Sequence, residues 1–345
     1  FFWPSLQVGA LHAAVQANGG ETGVDCGGPA CAACPMVLLL GGNATKMLGA
    51  RYDGAAWTTA DIAAPAVDPV DVAITSDGVG VGVFRYTKIG DPKDRQLQYV
   101  LYKNGAWTAP AAIGASLTRA APTLSAAGKG AHLVFQGEDY QFYYAGYSGA
   151  VWGPTAEMIG SYGPGPGSVA TLGADAEYVF HDGDKSNNLH SRARNPVWQP
   201  QQLIDTQSSF NRAPVVIALG AVAELLAVHT LNANDQVRFS ARKAGVWAPA
   251  ANLAGATTPH SPALAALPGG QAILALRGVD NRIYTTTYDA GANTWTPVTA
   301  VNANPISDRP PAVTAGLAGA EVELVYLDTA SKTVRHIRRN KGVWS

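Results

Sequence analysis

Tryptophan marks this chain at a nearly constant interval. Trp57, Trp107, Trp152, Trp198, Trp247, Trp295 and Trp344 are separated by 50, 45, 46, 49, 48 and 49 residues, and Trp3 alone stands outside the series. A fixed period of this size is the signature of one supersecondary unit repeated along the chain, and any fold must accommodate seven copies. The surroundings repeat as well. A turn precedes the rings, as in Asn104-Gly105, Ser148-Gly149 and Lys341-Gly342, and a proline follows five of them: Pro110, Pro154, Pro200, Pro249 and Pro297.

One unit can be read from Pro262. Residues 263–267 form strand a, Pro268-Gly269-Gly270 a turn, 271–276 strand b, Gly278 to Asn281 a second turn, 282–288 strand c, and Trp295 opens strand d. Short runs rich in Val, Leu, Tyr and Thr between Gly, Asn and Asp are strands. No segment keeps apolar residues at helical spacing over a dozen positions. Four strands per repeat predict an all-β fold, a seven-bladed β-propeller of four-stranded antiparallel blades. A charged fraction of only 14%, against ~25% in an ordinary domain, fits one large closed β architecture.

The two ends depart from the pattern. The first repeat has strand-like pieces at 36–40 and 47–52 but no clear strand a, and the last stops one residue after Trp344. Residues 1–8 are therefore expected to supply the outer strand of the last blade and close the ring, since closure removes exposed strand edges. Residues 9–35 become an insertion and 36–345 the propeller. The chain starts without an initiator Met or a basic leader, as a processed chain would. Net charge is −1 with no basic stripe, which argues against a nucleic-acid partner, and no apolar run is long enough for a transmembrane segment.

The three cysteines, Cys26, Cys31 and Cys34, are disulfide candidates with one thiol left over; a metal would need a fourth ligand, and His12 is the nearest histidine. The segment from Asn18 to Cys34 resembles a Cys-rich motif of secreted and surface proteins of myxobacteria. That resemblance implies an extracellular or cell-surface location, in keeping with disulfide chemistry.

In an antiparallel four-stranded blade the d–a and b–c connections emerge on one face, so side chains repeated in both converge. Aligning the repeats at the end of strand b gives Arg85, Gln136, His181, His229, Arg277 and Tyr326, with Gly41 or a neighbour in the first repeat. The d–a connections add Arg119, Arg212, His260 and Arg309. These planar donors suit sugar hydroxyls, and the ten residues are the candidate carbohydrate-binding set. Strand ends that merely meet water would also be polar. A second column, Tyr52, Tyr102, Tyr147, Arg194, Arg242, Tyr288 and Arg339, holds only Tyr or Arg. It can stack on a ligand, or pack over a neighbouring blade with its arginine stems.

Enzyme signatures are poor. There is no G-x-S-x-G elbow or H-E-x-x-H motif, and Ser76-Asp77-Gly78 lacks the tryptophan of a sialidase Asp-box. Glu138, Asp139, Asp182 and Asp184 are isolated acids in single loops, whereas glycosidase chemistry needs two apposed carboxylates. The run from Asp182 to Asn187 lacks the terminal glutamate of a calcium loop. No catalytic residue, metal or cofactor is expected.

The repeat as a whole, residues 36–345, resembles the seven-bladed propeller lectins of the Photorhabdus type, related in architecture to the six-bladed fungal fucose lectins. The shared features are blade length, a proline leading into strand a, a G-x-W-x-P outer strand and a polar residue closing strand b. The resemblance implies binding of fucose-like or O-methylated sugars at several equivalent sites between blades. Two readings stand: a secreted or surface lectin with weak repeated sites and glycan partners, or a non-catalytic propeller that binds a protein partner as a component of a surface assembly.

Overall fold

The structure, a computed structural model, describes residues 12–13, 36–40, 45–53, 55–66, 70–183, 188–207, 212–220, 224–301, 305–316 and 320–345. Among them every regular element is a strand and none is a helix. The chain is the all-β antiparallel propeller that its repeat predicts.

Strands run outward through each sheet in chain order, from a to d. Sheet 1 holds 36–40 (b), 47–52 (c) and 57–62 (d). In sheets 2 to 7, strand a is 71–74, 123–127, 168–172, 215–218, 263–267 and 312–315. Strand b is 80–85, 130–136, 175–181, 225–230, 271–277 and 322–327. Strand c is 96–103, 141–147, 189–195, 236–243, 283–289 and 334–340. The outer strand d begins at Trp57 in sheet 1, is 156–162 in sheet 3 just after Trp152, and in the other sheets starts with a two-residue strand that ends on the tryptophan. Six sheets thus carry all four strands; sheet 1, among the described residues, has three. The strand not described in sheet 1 is strand a, the one for which its sequence carried no clear signal.

Strand b is covered on both faces, so its residues alternate between the preceding and the following sheet. Leu133 and Phe135 pack toward sheet 2, whereas Val134 packs toward sheet 4. An apolar cluster of this kind lies between each sheet and the next, and a smaller one joins sheet 7 (Ala312, Val325) to sheet 1 (Ala50, Trp57). Each fully buried Val, Leu, Ile or Phe contributes about 1.5–3 kcal/mol.

The tryptophan ruler has a structural explanation. In every sheet the ring stands cross-strand from the Tyr or Arg of the second column: Tyr52↔Trp57, Tyr102↔Trp107, Tyr147↔Trp152, Arg194↔Trp198, Arg242↔Trp247, Tyr288↔Trp295 and Arg339↔Trp344. Its other side leans on strand c of the preceding sheet, three residues before that sheet's own Tyr or Arg. Trp107 covers Gly49, Trp152 meets Tyr99, Trp198 meets Tyr144, Trp247 bonds Ser191, and Trp295 meets Phe239. The second column is therefore packing.

Inner strands are stitched through side chains. The first residue of strand a accepts a backbone N–H from strand a of the next sheet: Asp71 from Leu124 (2.8 Å), Thr123 from Val169 (3.3 Å), Ser168 from Val216 (3.2 Å). His12–Ala13 runs parallel to Ala73–Ile74 and lies near inner strands 123–127 and 312–315. The rest of 9–35, including Cys26, Cys31 and Cys34, lies outside the described residues, as do the proposed closing strand 1–8 and Gly41.

Candidate functional site at the sheet junctions

The d–a connections and b–c turns form one face of the ring, and the predicted residues meet there junction by junction. Between sheets 2 and 3, Arg85 donates from Nη1 to the Arg119 carbonyl (2.7 Å). The Arg119 side chain crosses to sheet 3, donates to the Glu138 carbonyl (3.2 Å) and lies over the Tyr140 ring, 3.5 Å from its centroid. Arg95 reaches across the same junction to Glu138 at 2.7 Å. Between sheets 3 and 4, buried Gln136 donates to the Gly163 carbonyl. Between sheets 4 and 5, Nε2 of buried His181 faces the Arg212 carbonyl at 3.0 Å. Arg212 goes on to sheet 5, where it binds Asp235 (2.5 Å) and the Leu231 and Thr258 carbonyls (3.4 and 3.2 Å). Between sheets 6 and 7, Arg277 donates from Nε to the Ser307 carbonyl (3.0 Å) and also bonds Asn281, while Ser307 bonds Arg309. At these four junctions the side chain ending strand b ties down the connection to the next sheet.

Two predicted members fall elsewhere. Register with strand c pairs Arg85 with Leu97, Gln136 with Phe142, His181 with Leu189 and Arg277 with Ile283; the same position in sheets 5 and 7 is Thr230, paired with Val237, and Leu327, paired with Val334. His229 and Tyr326 are one residue earlier and face the preceding sheet. Side chains alternate along a strand, so a shift of one residue reverses the face. Phe135 in sheet 3 holds the position of His229. Nε2 of His229 meets Asp205 of sheet 4 at 2.8 Å, and Arg238 meets the same oxygen at 2.6 Å. Tyr326 is buried in the cluster between sheets 6 and 7.

The b–c turns add groups that the two columns missed. Gly137-Glu138-Asp139-Tyr140-Gln141-Phe142-Tyr143 and Gly278-Val279-Asp280-Asn281-Arg282-Ile283-Tyr284 share one geometry. In each the tyrosine that ends the run, Tyr143 or Tyr284, donates its hydroxyl to the aspartate at 2.8 Å, and for Tyr143 this bond leads in pushing the pKa up to about 12. The residue at the turn's tip is left-handed, with φ of 70° at Tyr140 and 67° at Asn281. That conformation is uncommon outside glycine. It turns the Tyr140 ring, 47% exposed, up beneath Arg119. The repeated G-x-D-x-x-x-Y pattern was the available signal.

Burial pulls His181 down to about 4, so it is neutral at physiological pH. Half-buried His260 is also lowered, first by burial and then by Arg277, Arg212 and Arg309. Asp182 receives Gln201 at 3.4 Å and lies 3.6 Å from His190; Asp184 lies outside the described residues. No group of three or more His, Cys, Asp or Glu that could hold a metal occurs among the described residues, and none of their elements is a helix long and apolar enough to cross a membrane. Chemically, the face offers guanidinium groups and the half-buried His260 imidazole for hydroxyls, and at the junction of sheets 2 and 3 an exposed aromatic ring for an apolar surface.

No protein-family model and no curated protein sequence matches the chain. Solved structures share its fold. The lectin BP39L from Burkholderia pseudomallei superposes with a TM-score of 0.77 at 13% identity, over 100% of this chain and 98% of that one. AofleA from Arthrobotrys oligospora gives 0.58 at 11% identity, over 99% and 85%. The Aleuria aurantia lectin, a six-bladed β-propeller with a novel fucose recognition mode, gives 0.54 at 13% identity, over 77% and 89%. At these identities the likeness is one of fold.

Proposed function

We propose that this chain is a non-catalytic, lectin-like propeller of seven blades that binds glycans at junctions of one face, outside the cell or on its surface. The observation that carries the reading is the Arg119–Tyr140 stack. A guanidinium held 3.5 Å over a half-exposed ring gives planar donors beside an aromatic face, on a fold that a Burkholderia lectin shares along its whole length. Shallow sites of this kind are weak singly, and several on one rigid disc gain through avidity.

Seven blades are supported by the chain of apolar clusters that returns from sheet 7 to sheet 1. They are supported also by the six-bladed lectin's covering only 77% of this chain. His12–Ala13, beside the inner strands of sheets 2 and 7, is suited to stand in for the inner strand that sheet 1 lacks among the described residues. Cys26, Cys31 and Cys34 would provide a disulfide suited to an oxidising compartment.

A second reading has its own observation. Arg85, Gln136, His181 and Arg277 each hold a connection carbonyl, so this column serves to lock sheets together, as a rigid scaffold for a protein partner or a larger assembly would need. A glycan array with the intact protein, Arg119→Ala and Tyr140→Ala separates the two. Binding to a defined sugar class that weakens in both variants supports the lectin. No binding to any glycan rejects it in favour of the scaffold.

A further inference from the structure

The junction between sheets 5 and 6 breaks the rule of the other polar junctions. Thr230 occupies the position where Arg85, Gln136, His181 and Arg277 reach a connection carbonyl. Its hydroxyl is buried, with the residue 2% exposed, and has no hydrogen-bond partner. The Thr258 carbonyl, at the start of this connection, is met instead by Arg212 from the neighbouring one, at 3.2 Å. Two residues on, the His260 ring has no hydrogen bond among the described residues; its backbone N–H bonds Thr258 Oγ1 (3.2 Å). A half-buried imidazole thus keeps both nitrogens for a ligand.

The charges around it point to the ligand's sign. Arg277, Arg212 and Arg309 all act on His260, and Asp235 opposes them. Asp235 is bound to Arg212 at 2.5 Å. Arg277 lies within the field of Asp308 and Asp280, but its hydrogen bonds go to neutral acceptors, the Ser307 carbonyl and the Asn281 amide oxygen. Asp280 is engaged by the Tyr284 hydroxyl (2.8 Å), and Asp308 by Lys332 (3.5 Å). A half-buried guanidinium with neutral partners gains most from a carboxylate.

Resting on the lectin reading and deepening it, we propose that this junction binds an acidic saccharide, a hexuronate, with its carboxylate on Arg277 and a ring hydroxyl on His260. A neutral imidazole donates to one hydroxyl and accepts from another, which suits a sugar ring.

The test compares methyl glucuronide with methyl glucoside, which differ at the carboxylate alone, on the intact chain. His260 is followed by NMR titration and affinity by calorimetry. Glucuronide is expected to bind and to raise the His260 pKa, since an anion beside it favours the charged ring, while glucoside leaves the titration unmoved. His260→Ala should lose about tenfold in glucuronide affinity, in line with one neutral hydrogen bond, and Arg277→Gln at least as much, in line with one charge-assisted hydrogen bond. Arg277→Lys, which keeps the charge should the Gln variant fold poorly, should retain part of the binding. Glucuronide that leaves His260 unmoved, or that binds no better than glucoside, overturns this inference. If neutral glycans still bind on the array, the lectin reading survives it; if nothing binds in either experiment, both fall.

Discussion

Trp57 of sheet 1 donates its indole N–H to Nδ1 of His336 in sheet 7, at 3.2 Å across 279 residues of chain. Because Nδ1 accepts, the neutral ring carries its proton on Nε2, which faces buried Glu323 at 2.7 Å. This chain of bonds is the polar part of the seam where the last sheet meets the first, and Tyr52 backs it with its ring 4.8 Å from the imidazole. His336→Ala leaves the indole unpaired and removes one partner of Glu323. It is expected to cost about 2 kcal/mol in urea unfolding. A loss under about 0.5 kcal/mol, the size of an ordinary surface substitution, would mean that the seam is held by apolar packing alone.

Gly49 takes the same place in sheet 1 that His336 takes in sheet 7, and there the preceding strand yields all its space to Trp107. A Cβ built at Gly49 would fall inside the indole. Gly49→Ala should therefore destabilise by about 1–3 kcal/mol through overpacking, and Trp107→Leu in the same chain should recover part of the loss. Simple additivity of the two changes would show that they do not share this contact.

The indoles divide by what lies beneath them. Trp247 finds the Ser191 hydroxyl at 2.8 Å, whereas the buried N–H groups of Trp152, Trp198 and Trp295 have no conventional acceptor. Those three stand edge-on to Tyr99, Tyr144 and Phe239, at interplanar angles of 67°, 78° and 74°. A ring face in this arrangement can serve as a weak acceptor, a second-order interaction of N–H with a π cloud. Ser191→Ala should cost about 1–3 kcal/mol, because it removes the hydroxyl that holds the buried Trp247 N–H and also bonds Glu177, while Tyr99→Phe keeps the π face and should stay within about 0.5 kcal/mol. Equal losses in the two variants would contradict this division.

The parts of the fold that recur as large rings at fixed spacing were legible in the sequence. Trp295, the turn at 268–270 and the strands of sheet 6 fall within a residue of where the repeat puts them. The junction column was legible only where strand b ends alike. In sheet 5 the run Ala227-Val228-His229-Thr230 matches Val179-Phe180-His181 by its histidine, yet pairing with strand c sets Thr230 opposite the buried position. One residue of slip exchanges a connection clamp for an Asp205–His229–Arg238 triad facing the other way. Sequence similarity cannot choose between them, because both are polar residues ending an apolar strand; only cross-strand register does. The parallel pairing of His12–Ala13 beside an inner strand left no signal either, since two residues carry no periodicity.

His181 links this geometry to pH. It is 1% exposed and burial sets its pKa at about 4, and His132 is likewise held at about 4 by burial, aided by Arg194. The unfolded value is about 6.5. Both groups therefore bind protons more readily when unfolded, so their contribution is complete above about pH 6.5 and is lost as the pH falls toward 4. Each should remove about 1.5 kcal/mol of stability between pH 6.5 and 5, at about 1.4 kcal/mol for every full proton and pH unit. His181→Gln copies the solution of sheet 3, where Gln136 donates to the Gly163 carbonyl, and has no proton to gain. Urea unfolding at pH 7 and at pH 5 should then show a smaller acid loss in the variant by that amount. An unchanged pH slope would mean that His181 titrates in the folded chain as freely as in the unfolded one.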